Sequence, residues 1–206
     1  MGHDLSGLYV ILDPAVAVER DVLHIAREAI AGGAHLIQWR HKTGEKGLQL
    51  PVVESLVAIC REAGVPLIVN DDVDLALVAG AEGVHVGQKD LPVASVRRIV
   101  PSGWIVGAST NNVEEALAAE ADGADYVSVG NLFGTTSKGD TRPATLNTLR
   151  AVKAAVRVPV CAIGGINEAN IASVAAAGAD IASVISAVVA NNNPREAALR
   201  LAAAFA

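Results

Sequence analysis

The residues with chemical capability gather in a few short polar clusters. The densest is Gly130-Asn131-Leu132-Phe133-Gly134-Thr135-Thr136-Ser137-Lys138-Gly139-Asp140-Thr141-Arg142, with three glycines, four hydroxyl side chains and two cations. Glycine lets backbone N–H groups approach a ligand closely. Hydroxyls, free N–H groups and a lysine together suit a phosphate or diphosphate. In Gln38-Trp39-Arg40-His41-Lys42, alternation puts Gln38, Arg40 and Lys42 on one side of an extended chain. The arginine can grip phosphate oxygens with two charge-assisted bonds. His41 falls on the other side and reads as structural.

Carboxylates accompany these cations. Asn70-Asp71-Asp72 and His85-Val86-Gly87-Gln88-Lys89-Asp90 each follow a strand-like run. Asp71 and Asp90 facing one pocket would repel each other unless something positive lay between them. Mg2+ is bound by one or two carboxylates together with substrate phosphates and water, which explains acids and bases in one place. The competing use of Asp71 or Asp72, and of Asp90, is to cap a helix. Gly107-Ala108-Ser109-Thr110-Asn111-Asn112 adds hydroxyls, while Gly164-Gly165 and Ile185-Ser186 suit a monophosphate held by backbone N–H groups. There is no Ser-His-Asp arrangement, metal-type histidine cluster or Cys-His pairing. The expected chemistry is positioning and electrostatics around a departing diphosphate, with no protein nucleophile.

These clusters need a scaffold that collects them. Eight apolar runs recur: Leu8–Leu12, Leu36–Trp39, Pro66–Val69, Gly83–Val86, Trp104–Val106, Tyr126–Val129, Val158–Ala162 and Ile181–Ile185. Between them lie helix-period segments such as Val22–Ile30, Leu50–Arg61 and Asn170–Ala177. The alternation predicts parallel βα units. Gly32-Gly33-Ala34-His35, Gly80-Ala81-Glu82-Gly83, Gly123-Ala124-Asp125 and Gly178-Ala179-Asp180 end every second helix with a glycine turn into the next strand. Eight such strands predict an α/β fold, one TIM-type (β/α)8 barrel over residues 1–206, with a doubly wound open sheet as the alternative. Barrels of this type keep their sites at the strand C-terminal ends, where these polar clusters fall.

Composition agrees and narrows the partners. Of 206 residues, 51% are hydrophobic and only 3% aromatic, so the core is Ala, Val, Leu and Ile, which suits buried parallel strands. A net charge of −6 argues against nucleic acid as a partner. Cys60 and Cys161 lie in apolar runs and read as reduced core thiols. With no secretory signal and no apolar stretch long enough to span a bilayer, a cytoplasmic protein acting on small phosphorylated molecules is expected, with homo-oligomerisation left open.

The clusters, taken in order, resemble thiamine phosphate synthases. The matching pieces are Gln38-x-Arg40-x-Lys42, Val69-Asn70-Asp71, Gly83-Val84-His85-Val86-Gly87-Gln88-x-Asp90, Gly107-Ala108-Ser109-Thr110, Gly130-x-x-Phe133-x-Thr135-x-Ser137-Lys138, Ala162-Ile163-Gly164-Gly165-Ile166 and Ser183-Val184-Ile185-Ser186. The resemblance implies a Mg2+-assisted transferase that joins 4-amino-2-methyl-5-hydroxymethylpyrimidine diphosphate to a thiazole phosphate or its carboxylated form. It implies that Gln38, Arg40, Lys42, Asn70, Ser109 and Lys138 meet the pyrimidine diphosphate, with Lys138, Arg40 and Ser109 carrying catalysis. Asp71 and Asp90 would hold Mg2+, and Thr135, Ser137, Gly165, Ile185 and Ser186 would receive the thiazole phosphate. Two positions depart from the family pattern: Asn131 stands where proline is usual, which is expected to loosen the start of that loop, and Asn111 where histidine is frequent. Related thiazole tautomerases use a histidine near there, so Asn111 counts against an isomerase. A non-catalytic barrel that binds thiazole or thiamine phosphate is the third reading.

Overall fold

A computed structural model describes residues 5–134 and 142–205. Eight strands, β1 (Gly7–Leu12), β2 (Ala34–Trp39), β3 (Leu67–Asn70), β4 (Gly83–Val86), β5 (Ile105–Thr110), β6 (Tyr126–Val129), β7 (Val160–Ile163) and β8 (Ile181–Val184), form one closed barrel in sequence order. Every neighbouring pair is parallel, and β1 closes on β8 through Leu8 opposite Ala182 and Val10 opposite Val184. The helices are α1 (Pro14–Ala17), α2 (Val22–Ala31), α3 (Lys46–Ala63), α4 (Val73–Ala79), α5 (Val93–Arg97), α6 (Val113–Ala121), α7 (Leu146–Ala155), α8 (Ile171–Ala176), α9 (Ser186–Val189) and α10 (Pro194–Ala202).

Local chemistry sets the helix ends. Asp21 accepts from the Leu23 N–H at the start of α2, and Thr145 with Thr148 forms a capping box at the start of α7. Gly64 and Gly80 close α3 and α4 with φ of 69° and 73°, a left-handed conformation that glycine adopts without penalty.

Strand alternation divides the apolar residues into two cores. Leu8, Val10, Leu12, Val69, Val84 and Val127 pack outward under the helices. Tyr9, Leu36, Ile68, Ile105, Tyr126, Cys161 and Ile181 fill the barrel, and Leu5 joins them. Along β2, β3, β5, β6 and β8 the inward positions become polar toward the C-terminal end. Leu36 gives way to Gln38, Ile68 to Asn70, Ile105 to Gly107 and Ser109, Tyr126 to Ser128, and Ile181 to Ser183. A Cβ at Gly107 would run into the Tyr126 ring, so the glycine makes room for one of the two tyrosines of the interior.

Candidate active site at the strand ends

A cavity of about 620 Å³ opens at the C-terminal ends of the strands. Its lining includes Arg40, Lys42, Asn70, Asp71, His85, Asp90, Ser109, Asn111, Asn131 and Arg142. Six residues singled out by type and spacing, Arg40, Lys42, Asn70, Asp71, Asp90 and Ser109, therefore share one wall. The volume lies within the range of small-ligand sites.

Arg40 is anchored from behind. Its N–H donates to the Leu12 carbonyl at 3.0 Å, and its guanidinium pairs with the buried Asp13 carboxylate. The other oxygen of Asp13 accepts from the Ala15 N–H at 3.0 Å, which ties the same carboxylate to the first turn of α1. The Arg40 Nε–H is buried and finds no partner among the described residues. Asp13, which type and spacing alone did not single out, thus fixes the arginine that faces the cavity.

The two carboxylates meet. Asp71 follows β3 in the left-handed region, at φ 63°, with its N–H donating to the His85 carbonyl at 2.8 Å. A non-glycine residue there is uncommon, although aspartate tolerates it better than most. Burial, together with the neighbouring Asp90 carboxyl, pushes the Asp71 carboxyl above its ordinary range. Lys42, whose Nζ lies 3.3 Å from Asp71 Oδ2, partly offsets this. Neither carboxylate serves as a helix cap. Asp90 Oδ2 accepts from the Gly87 N–H at 2.8 Å, while Asp72 holds the N-cap position of α4 without a capping bond and pairs with Lys46 at 2.8 Å.

Ser109 is held on both sides. Its carbonyl accepts from Gln88 Nε2 at 2.6 Å, and its Oγ lies 2.9 Å from His85 Nε2. Gln38 is absent from the cavity lining. It is 2% exposed, and its Nε2 donates to Tyr9 Oη at 2.6 Å.

The 130–134 segment runs beside β7. Leu132 and Phe133 N–H groups donate to the Ile163 and Gly164 carbonyls at 3.1 and 3.0 Å. Asn131 donates its N–H to the Arg142 carbonyl at 3.2 Å, a bond that proline could not form, and accepts from Ala144 at 3.1 Å. Asn111 Nδ2 donates to both the Gly130 and the Arg142 carbonyls. Arg142 forms two 2.8 Å bonds to Glu115, which hold that carboxyl below its usual range. The two departures from the family pattern therefore join the residues on either side of 135–141. Thr135, Ser137 and Lys138 themselves lie outside the described residues.

The phosphate candidates after β7 and β8 do not line the same cavity, although Gly164 does. Gly165 has φ 65°, and its carbonyl accepts from Asn167 and Asn170 side chains at 3.2 and 2.9 Å. Ile185 and Ser186 begin α9. Among the described residues there is no group of three or more His, Cys, Asp or Glu placed to hold a metal, and no helix long and apolar enough to cross a membrane.

Comparisons with known proteins agree with this geometry. The family profile described as thiamine monophosphate synthase matches residues 8–188. The chain is 50% identical over 194 residues to the thiamine-phosphate synthase of Roseiflexus castenholzii, covering 94% of this chain and 85% of that one. It is 47% identical over 199 residues to that of Methanocella arvoryzae, covering 95% and 93%. The solved thiamine phosphate pyrophosphorylase of Pyrococcus furiosus superposes with a TM-score of 0.91 at 37% identity, covering 98% and 96%. A 3-hexulose-6-phosphate synthase, at 22% identity and TM-score 0.69, shares the fold. On this evidence the chain belongs to the thiamine monophosphate synthase family.

Proposed function

We propose that this barrel joins a pyrimidine diphosphate to a thiazole phosphate, giving thiamine phosphate and free diphosphate. The carrying observation is the single cavity that gathers Arg40, Lys42, Asn70, Asp71, Asp90 and Ser109. Arg40, held by Asp13, and Lys42 neutralise the diphosphate as it leaves. Stabilising charge that grows in the transition state is where such a site gains rate. Lys138 adds a third cation by its place in the family pattern, and Asn70 orients the pyrimidine, while Gln38, 2% exposed and bonded to Tyr9, lies outside the cavity lining. Thr135, Ser137, Gly165, Ile185 and Ser186 take the thiazole phosphate.

Asp71 and Asp90 fit Mg2+. They are two neighbouring carboxyls on the cavity wall, and burial together with Asp90 pushes the Asp71 carboxyl above its ordinary range, with only Lys42 as a cationic offset there. Mg2+ requires only one or two such ligands when phosphates and water complete its shell. When bound it would supply charge stabilisation to the departing diphosphate. In this reading the pyrimidine–diphosphate bond breaks first, the diphosphate leaves with the electron pair, and the thiazole nitrogen then attacks the pyrimidine methylene carbon.

Incubation with pyrimidine diphosphate, thiazole phosphate and Mg2+ tests this directly, with thiamine phosphate as the expected product. Lys138→Ala should mainly lower kcat. Binding of both substrates without product would favour a sensor, and conversion of the thiazole alone would favour an isomerase.

A further inference from the structure

A continuous hydrogen-bonded chain crosses the barrel interior beneath the cavity. Gln38 Nε2 lies 2.6 Å from Tyr9 Oη, Tyr9 Oη 3.1 Å from Tyr126 Oη, Tyr126 Oη 2.9 Å from His85 Nδ1, and His85 Nε2 2.9 Å from Ser109 Oγ. It begins at a residue 2% exposed and ends on the cavity wall. The rings are packed as tightly as the bonds: Tyr126 stacks on His85 with centroids 5.5 Å apart and meets Tyr9 edge-on at 6.1 Å.

Proton counting gives the chain a direction. An amide NH2 only donates, so Tyr9 Oη accepts from Gln38, and its own buried proton is satisfied by going to Tyr126. Tyr126 in turn donates to His85 Nδ1. A neutral imidazole that accepts at Nδ1 carries its proton on Nε2, and that proton goes to Ser109 Oγ. The proton of Ser109 is then left for the cavity. Both phenols remain protonated, because burial pushes each far above the ordinary tyrosine range. The opposite direction either leaves the buried Tyr9 proton without an acceptor or needs the Gln38 amide reversed. Its NH2 would then take the position where Oε1 now has no partner. Unpaired buried N–H groups are rarer than under-satisfied carbonyls, so the first direction is favoured.

We propose that Tyr9, Tyr126 and His85 are positioning residues that hold Ser109 as a hydrogen-bond donor toward an anionic oxygen in the cavity. The direction matters because the reversed chain would point a serine lone pair, not a proton, at a phosphate. Its kinetic consequence rests on the transferase reading; its existence does not.

Two measurements test it. In the ligand-free protein, nitrogen-15 NMR of the His85 ring should show one neutral tautomer, protonated at Nε2. Tyr9→Phe, which removes the hydroxyl one step before Tyr126 in the chain, should shift the His85 Nδ1 resonance, whereas Ile181→Val, an interior change of similar size, should not. A ring protonated at Nδ1, or an Nδ1 resonance indifferent to Tyr9→Phe, overturns the proposal whether or not the protein makes thiamine phosphate. In the assay, Ser109→Ala should lower kcat about 10²-fold and Tyr126→Phe about 10-fold with little change in KM. In the Ser109→Ala background, Tyr126→Phe should cost nothing more. Losses that multiply would show that Tyr126 acts independently of Ser109 and would overturn the relay. Absence of product from the wild-type protein would instead refute the transferase reading, leaving the NMR result to judge the chain.

Discussion

Asp71 reaches its neighbour Asp90 from a left-handed backbone, at φ 63°, and the two carboxyls meet on the cavity wall. An acid whose folded-state pKa is raised binds its proton more tightly folded than unfolded. Its stabilising contribution is complete below the ordinary carboxylate value of about 3.9 and is lost as pH rises through the raised folded value. In metal-free buffer, wild-type stability should therefore fall relative to Asp71→Asn across that window. Asparagine also tolerates the left-handed backbone. Thermal melts of both proteins against pH check this; parallel curves would disprove it.

Magnesium should reverse the penalty. At about 100 times its Kd, a ligand that binds only the folded state stabilises by about 2.7 kcal/mol. Wild-type melting temperature should rise accordingly with added Mg2+, and the Asp71→Asn and Asp90→Asn proteins should respond little. Differential scanning fluorimetry against Mg2+ concentration reads the difference.

Arg40 depends on Asp13. Breaking a buried ion pair by removing one partner costs about 3–5 kcal/mol, and both side chains are almost fully buried here. Asp13→Ala should lose stability of that order in urea unfolding and also weaken diphosphate binding, because Arg40 is no longer aimed. Arg40→Ala should bind diphosphate as poorly, and the double variant should cost less than the two single losses added together.

Asn111 spans the two ends of the 135–141 segment through its bonds to Gly130 and Arg142. Asn111→Ala should cost about 1–2 kcal/mol in stability and raise KM for the thiazole phosphate more than for the pyrimidine diphosphate. Arg142→Ala, which releases Glu115, should move KM in the same direction.

Gly107→Ala should destabilise by about 1–3 kcal/mol through overpacking against the Tyr126 ring. A matched Gly103→Ala change has open space around it and serves as the contrast, although its φ of 86° adds local strain.

The barrel was legible in the sequence because every strand is an apolar run and the glycine punctuation marks the turns. Boundaries were less so. Residues Gly107 to Thr110 read as a loop by type, yet they extend β5, since both flanking strands pair with them. The third helix begins at Lys46, ahead of the expected Leu50, with the Glu45 carbonyl accepting from the Leu48 and Gln49 N–H groups and Pro51 inside the helix. The cavity residues were legible because charged groups at strand ends have few structural uses. Their supports were not. Asp13 lies 27 residues from Arg40, and Tyr9 lies 117 from Tyr126. One signal was available for the interior chain: the sequence has only two tyrosines, and both sit at inward strand positions.

The interior of the barrel changes from hydrocarbon at one end to hydrogen-bonding groups at the other. That gradient divides the molecule into two engineering territories. Leu36, Ile68, Ile105 and Ile181 can be repacked for heat tolerance without altering what the cavity recognises. Replacements one inward layer higher, at Gln38, His85 or Ser109, would break the hydrogen-bonded chain while leaving the foundation intact.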